Sequence, residues 1–219
     1  MVSLLEPFEY PLSKIPYKRQ GQTILGLFCL IFLCACTSKR VQPNNYLDWY
    51  KQHSDDFVSS KSVGPFGFQL TYLPVEILVL QEYGAEAATS PAWDSLLADR
   101  GDFDYYSLRI VSKESNTPIL KHPAWSIQDY QQRVQYMAFQ MQHDIKLLRG
   151  SDTSHCALYH FERSYDVTPF TTLMLAFPSG EQTATFLYND QVLGLGPVMM
   201  PARKPESQSI PTFNRIPHP

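Results

Sequence analysis

Apolar and polar positions along this chain follow two rhythms, one of period two and one near 3.6, separated by turn-forming residues. Across 64–72, Phe66, Phe68, Leu70 and Tyr72 alternate with small or polar residues, which is the pattern of a half-buried strand. Across 103–112, Tyr106, Leu108 and Ile110 repeat it. From residue 155 the alternation predicts strands at 155–165, 170–178 and 183–189, and a short final strand within 192–200. Pro178, Ser179 and Gly180 read as a tight turn between two of these, so the C-terminal strands are expected to form an antiparallel meander.

The helical rhythm comes with its own punctuation. Pro74 suits a first helical turn and opens a short helix over 75–83, stopped by Gly84. Ser90 and Pro91 repeat the device for a helix reaching Arg100, with Gly101 after it. Residues 46–50 suggest a short helix or turn that docks Trp49 and Tyr50, and 53–62 reads as polar. The strongest helical signal covers 126–148. Ser126 can cap it and Asp129 sits at its third position, where a carboxylate suits the helix dipole. Ile127, Tyr130, Val134, Met137, Met141, Ile145 and Leu148 then follow in steps of three and four, predicting one apolar stripe along a helix of about 33 Å. Such a stripe usually packs on a core; its methionines would also suit a docking partner.

Together these patterns predict a single α+β domain. An antiparallel sheet with a C-terminal strand meander is packed on one long amphipathic helix, and shorter helices lie between the early strands. The expected organisation is a leader over 1–35, a polar tether over 36–45, one globular domain over 46–200, and a Pro-rich extended tail over 201–219. No internal repeat of 20–50 residues interrupts this plan.

The leader changes the picture most. Lys14, Lys18 and Arg19 precede an unbroken apolar run from Ile24 to Ala35. As a helix that run spans about 18 Å, against about 30 Å of hydrocarbon, which suits a signal h-region better than a membrane span. It ends in Leu33-Cys34-Ala35-Cys36, which resembles the lipobox of bacterial lipoproteins: an aliphatic residue, two small ones and the cysteine. The resemblance covers only the first 37 residues or so. It implies cleavage before Cys36, a diacylglycerol thioether on its sulfur and an acylated new N-terminus. Each buried CH₂ contributes about 0.8 kcal/mol, so several chains together anchor stably. Thr37 stands where inner-membrane lipoproteins often carry Asp, so the resemblance implies the outer membrane of a Gram-negative bacterium.

Composition narrows the partners. The 219 residues carry a formal net charge of −3, with no basic stripe or charge block, which argues against nucleic acid. Of the four cysteines, Cys29 and Cys34 would leave with the leader and Cys36 would carry lipid. Cys156 alone remains, so the mature fold is expected to rest on packing without an internal disulfide.

Candidate chemistry is sparse. Gly194-Leu195-Gly196-Pro197 lacks the third glycine and following helix of a dinucleotide loop and reads as a turn or bulge. His155, Cys156 and His160 lie close in sequence, but on one strand Cys156 and His160 would stand about 13 Å apart, too far for a thiolate–imidazole pair or shared metal. A nucleophilic Cys156 would need a histidine from elsewhere, with His122 and His143 as unplaced possibilities, and Cys156 reads instead as a small core residue. Asp99, Arg100, Gly101, Asp102 and Asp104 read as a solvated turn, and the Arg-Gly-Asp tripeptide in it is too short to carry weight. No catalytic, cofactor-binding or metal-ligating residue is therefore expected, and no cofactor; Cys36 is the single assigned site.

The functional expectation is a lipid-anchored envelope protein acting as a binding or structural accessory component, held to the membrane and contacting an envelope protein partner. The alternatives are an envelope hydrolase whose site assembles only in three dimensions, and a carrier with an apolar cavity between sheet and long helix.

Overall fold

The computed structural model describes residues 40–113, 118–121, 126–163, 168–180, 183–206 and 209–213. The leader, Cys36, His122 and the last residues of the tail, 214–219, lie outside the described residues. The chain enters through β1 (Arg40–Val41), α1 (Pro43–Gln52) and α2 (Ser54–Phe57). Next come β2 (Val58–Val63), β3 (Phe66–Leu73), α3 (Val75–Tyr83), α4 (Trp93–Ala98) and β4 (Phe103–Ser112). After α5 (Ile127–Gln135), a π-helical turn (Tyr136–Gln140) and α6 (Met141–Asp144), the rest is strand: β5 (Ile145–Arg149), β6 (Asp152–His155), β7 (Leu158–Glu162), β8 (Phe170–Pro178), β9 (Ala184–Asn189), β10 (Pro197–Ala202) and β11 (Thr212–Phe213).

The α+β class is as expected, and its strands form two antiparallel sheets. One has the order β2-β3-β4-β8-β7 and the other β10-β9-β5-β6, while β1 and β11 make a separate parallel pair. The period-two residues decide the layering. Phe66, Phe68 and Leu70 of β3, Tyr106, Leu108 and Ile110 of β4, and Leu173, Leu175 and Phe177 of β8 all point inward. They share one core with Ile145 and Leu147 of β5, Phe186 and Tyr188 of β9, and Val198 and Met200 of β10, so the sheets pack face to face. Burial of such side chains is worth about 1.5–3 kcal/mol each, which makes this interface the main source of stability.

Several expectations change. The helix expected over 126–148 stops at Asp144, and Ile145 begins a strand in which Ile145, Leu147 and Arg149 are buried in alternation. A short apolar run satisfies either period, and here pairing with β6 and β9 decides it. The main cover of the five-stranded sheet is therefore the second sheet. The helical segment enters the core only through its end: Ile127 is exposed, Tyr130 and Val134 are half-buried, and Tyr136, Met137 and Met141 are buried. The methionines serve packing.

The strand expected over 155–165 is split. β6 belongs to the four-stranded sheet and β7 to the five-stranded one, with Cys156 and Ala157 crossing between them. Likewise, Pro178 to Gly180 closes no hairpin, because β8 and β9 lie in different sheets; the meander is realised as the pairs β7–β8 and β9–β10. The polar segment after residue 53 holds α2 and β2, a strand that pairs with β3 across Gly64 and Pro65, with Gly64 at φ 54°. The tether and tail are partly built in. Pro43 to Asn45 belong to α1, Pro201 and Ala202 finish β10, and Thr212–Phe213 pairs with Arg40–Val41.

A second, smaller core forms beside the sandwich. Tyr46 of α1, Ile77, Val79 and Leu80 of α3, and Ala87, Ala88 and Trp93 pack into a helical lobe. Gly84, at φ 83°, ends α3 in a conformation open to glycine at no steric cost.

Candidate functional site

The inward rows of the sandwich end in polar groups, and four of these meet. Asp104 continues the row of Tyr106, Leu108 and Ile110; Arg149 that of Ile145 and Leu147; Ser179 that of Leu173, Leu175 and Phe177; and Lys204 that of Val198, Met200 and Ala202. Asp104 is 2% exposed and lies at the centre. Arg149 Nη2 donates to its Oδ2 at 2.9 Å and Lys204 Nζ to its Oδ1 at 2.7 Å. Ser179 Oγ adds a bond to Oδ1 at 3.2 Å and the Gly180 N–H one to Oδ2 at 3.3 Å. Arg149 also donates to Ser154 Oγ at 2.7 Å, and Lys204 to the Gly180 carbonyl at 3.2 Å. One buried carboxylate thus ties together the ends of both sheets and the segment after β10.

Lys204 and Asp104 also line a cleft of about 440 Å³ between this end of the sandwich and the helical lobe. The lobe supplies Pro74, Val75, Glu76 and Leu97; the sheet supplies Tyr72, Phe103 and Ser179; the C-terminal segment closes the third side with Ile210, Pro211 and Thr212. The volume falls within the range of small-ligand sites, and the lining mixes apolar walls with a few polar groups.

Glu76 is the distinctive titratable group of the cleft. Burial pushes its carboxyl above the usual carboxylate range, and its own backbone N–H opposes that only in part. Tyr72, on the floor, has its hydroxyl pushed upward by burial first and then by Asp104, Tyr106 and Glu76, so it stays a neutral hydroxyl. Tyr50 braces this floor by donating to the Tyr72 carbonyl at 2.8 Å, its own hydroxyl pushed up to about 12 by burial. The cleft therefore presents a carboxyl biased toward the protonated form, a lysine and apolar walls.

The Asp104, Lys204 and Ser179 cluster contains the residue types of nucleophilic chemistry, but its bonds work against it. Lys204 is ion-paired with Asp104 at 2.7 Å and also donates to the Gly180 carbonyl at 3.2 Å. Asp104 faces two cations and accepts from two further donors, so both of its oxygens are already engaged within the chain.

Asp104 corrects the expectation of a solvated turn: Asp102 is exposed, but Asp104 is among the most buried polar residues described. Its in-phase spacing with Tyr106, Leu108 and Ile110 was the available signal. Arg100 of the tripeptide is bound to Glu82 at 2.7 Å and to the Leu96 carbonyl. The sheets separate His155, Cys156 and His160 between β6, the crossover and β7. Cys156 Sγ donates to the Leu158 carbonyl at 3.0 Å, and burial pushes its thiol up to about 11, as suits a core residue. His143 is exposed on α6. Gly194 and Gly196, at φ 75° and 68°, form the expected turn, organised by Asp190, whose carboxylate accepts from the N–H groups of Val192, Leu193 and Leu195. Among the described residues no group of three or more His, Cys, Asp or Glu converges to hold a metal, and no helix is long and apolar enough to cross a membrane. No protein-family model matches the chain, and no curated protein or solved structure matches it.

Proposed function

We propose that this chain is a bacterial cell-envelope protein, exported on its apolar leader, anchored by lipid on Cys36 and acting as a non-catalytic binding component through the cleft around Glu76. Outer-membrane residence follows from the resemblance at Thr37, and the expected partner is another envelope protein. The carrying observation is the cleft itself. It joins the helical lobe, the sandwich and the C-terminal segment, and its charged centre at Asp104 is already saturated by internal partners. An ion cluster whose members are bonded to one another holds the shape of a binding site.

Glu76 supports a second reading. A carboxyl held toward its protonated form is suited to general acid catalysis, so an envelope hydrolase with Glu76 as the acid is the competing account. The carrier reading is less favoured, since Tyr136, Met137 and Met141 fill the space between the helical segment and the sheets.

The test is site-specific photocrosslinking in native membranes, with the photoreactive residue at Leu97 in the cleft wall or at Ser60 on the outer sheet face. The binding reading expects a discrete protein adduct from residue 97 and none from residue 60. Equal labelling from both, or none from 97, would remove the cleft from the account.

A further inference from the structure

A second concavity lies on the other side of the chain's chemistry, and it is built from amides. Between α5, the π-helical turn and the loop after β9 is a groove of about 420 Å³ lined by Gln132, Gln135, Gln140, Gln191, Tyr136 and Asp144. Its floor is hydrogen-bonded. The Tyr136 hydroxyl donates to Asp144 Oδ2 at 2.7 Å, and the Tyr188 hydroxyl, which also engages Tyr136, donates to Asp190 Oδ1 at 2.7 Å. Asp190 in turn holds the loop that carries Gln191, through the N–H groups of Val192, Leu193 and Leu195. The opposite wall depends on the π turn, a local widening of the helix that is often found at functional sites. It buries Tyr136 and Met137 while Phe139, next to Gln140, stands 77% exposed.

Exposed glutamines on one helix face would normally be a solvated surface. Here three follow one continuous helical run, α5 and the π turn, while Gln191 comes from the loop after β9, and the four converge on one groove over a floor fixed by a tyrosine–carboxyl chain. Each amide offers one carbonyl acceptor and two N–H donors, and a sugar hydroxyl both donates and accepts. The Asp144 carboxyl adds a further acceptor. No lysine or arginine lines the groove among the described residues, so an anionic ligand has no counter-charge there.

From this convergence we infer that the groove is a binding site for a neutral oligosaccharide. The site is separate from the Glu76 cleft and shares no lining residue with it. The inference therefore stands whether or not the cleft binds a protein.

The experiment uses the full chain in a detergent without a sugar headgroup, titrated calorimetrically with maltotetraose and with chitotetraose. The wild type is expected to bind at least one of them. Gln135→Ala together with Gln140→Ala removes two exposed amides from helical positions that alanine suits, and is expected to weaken binding about thirtyfold. Phe139→Ala, outside the groove lining, and Glu76→Gln, in the other cleft, are expected to leave it unchanged. Failure of the wild type to bind either sugar would overturn the inference. So would binding that the double glutamine variant leaves intact.

Discussion

Asp104→Asn tests whether one carboxylate locks the end of the sandwich. The substitution keeps shape and one carbonyl acceptor, but removes the charge that faces Arg149 and Lys204. The two cations respond differently. The Arg149 side chain is 9% exposed and has Ser154 as its other side-chain partner, with its Nε buried and unpartnered among the described residues. The Lys204 side chain is 32% exposed and can turn to water. Breaking a buried pair by removing one partner costs about 3–5 kcal/mol, because the other charge is left behind; an exposed pair is worth about 0–1 kcal/mol. The retained acceptor places Asp104→Asn near the low end, about 3 kcal/mol, nearly all through Arg149. In a chain of this size that lowers the melting temperature by about 9 °C and leaves the domain folded. Urea denaturation followed by circular dichroism measures it, with the midpoint falling and the slope unchanged. Double-mutant cycles with Arg149→Met and Lys204→Met apportion it. Coupling of Asp104 to Arg149 should exceed about 2 kcal/mol and coupling to Lys204 should stay below about 1. A loss under about 1 kcal/mol, or the larger coupling on Lys204, would refute the reasoning.

Two other outcomes follow from the titrating groups. Glu76 has its folded pKa raised, so the native state binds the proton more tightly and stability falls as pH rises from about 4.3 toward the folded value. Glu76→Gln should therefore raise the melting temperature at pH 8 and change it little at pH 4; an equal effect at both would show that the carboxyl is not desolvated. Cys156→Ala, which removes a thiol pushed up to about 11, should leave crosslinking and sugar binding at wild-type levels at a stability cost of about 1 kcal/mol. Loss of either function in a folded variant would assign the thiol a role.

Much of the sandwich was legible because its strands announce themselves by parity. β4 over 103–112 and β8 over 170–178 have the bounds the alternation predicts, and α3 over 75–83 has those set by Pro74 and Gly84. The same parity also turns Asp104 and Arg149 inward and brings the exposed Ser179 and Lys204 to the ends of their rows, but a polar residue at the end of an apolar row looks like the start of a turn. Only the convergence of four rows, which is a tertiary fact, makes a site of them. The segment 126–148 misled for a different reason. Its apolar spacing satisfies a helix throughout, and the switch at Ile145 is decided by hydrogen bonds to β6 and β9, which no local pattern contains. β2 was missed because Ser59, Ser60, Lys61 and Ser62 are polar; Ser59 is nonetheless buried, and Lys61 lies on an edge strand with its ammonium on the Met199 carbonyl at 2.7 Å. Both grooves draw their walls from distant segments, Glu76 with Lys204 in one case and Gln135 with Gln191 in the other. Their separation along the chain hid them.

The anchoring claim is tested most directly at Cys36. Cells fed labelled palmitate should incorporate it into the wild-type chain, and the intact mass should match a polypeptide that starts at Cys36 and carries acyl groups. Cys36→Ser should take up no label and accumulate as the unprocessed precursor. A mature wild-type chain without lipid, or normal processing of the Cys36→Ser variant, would contradict the account.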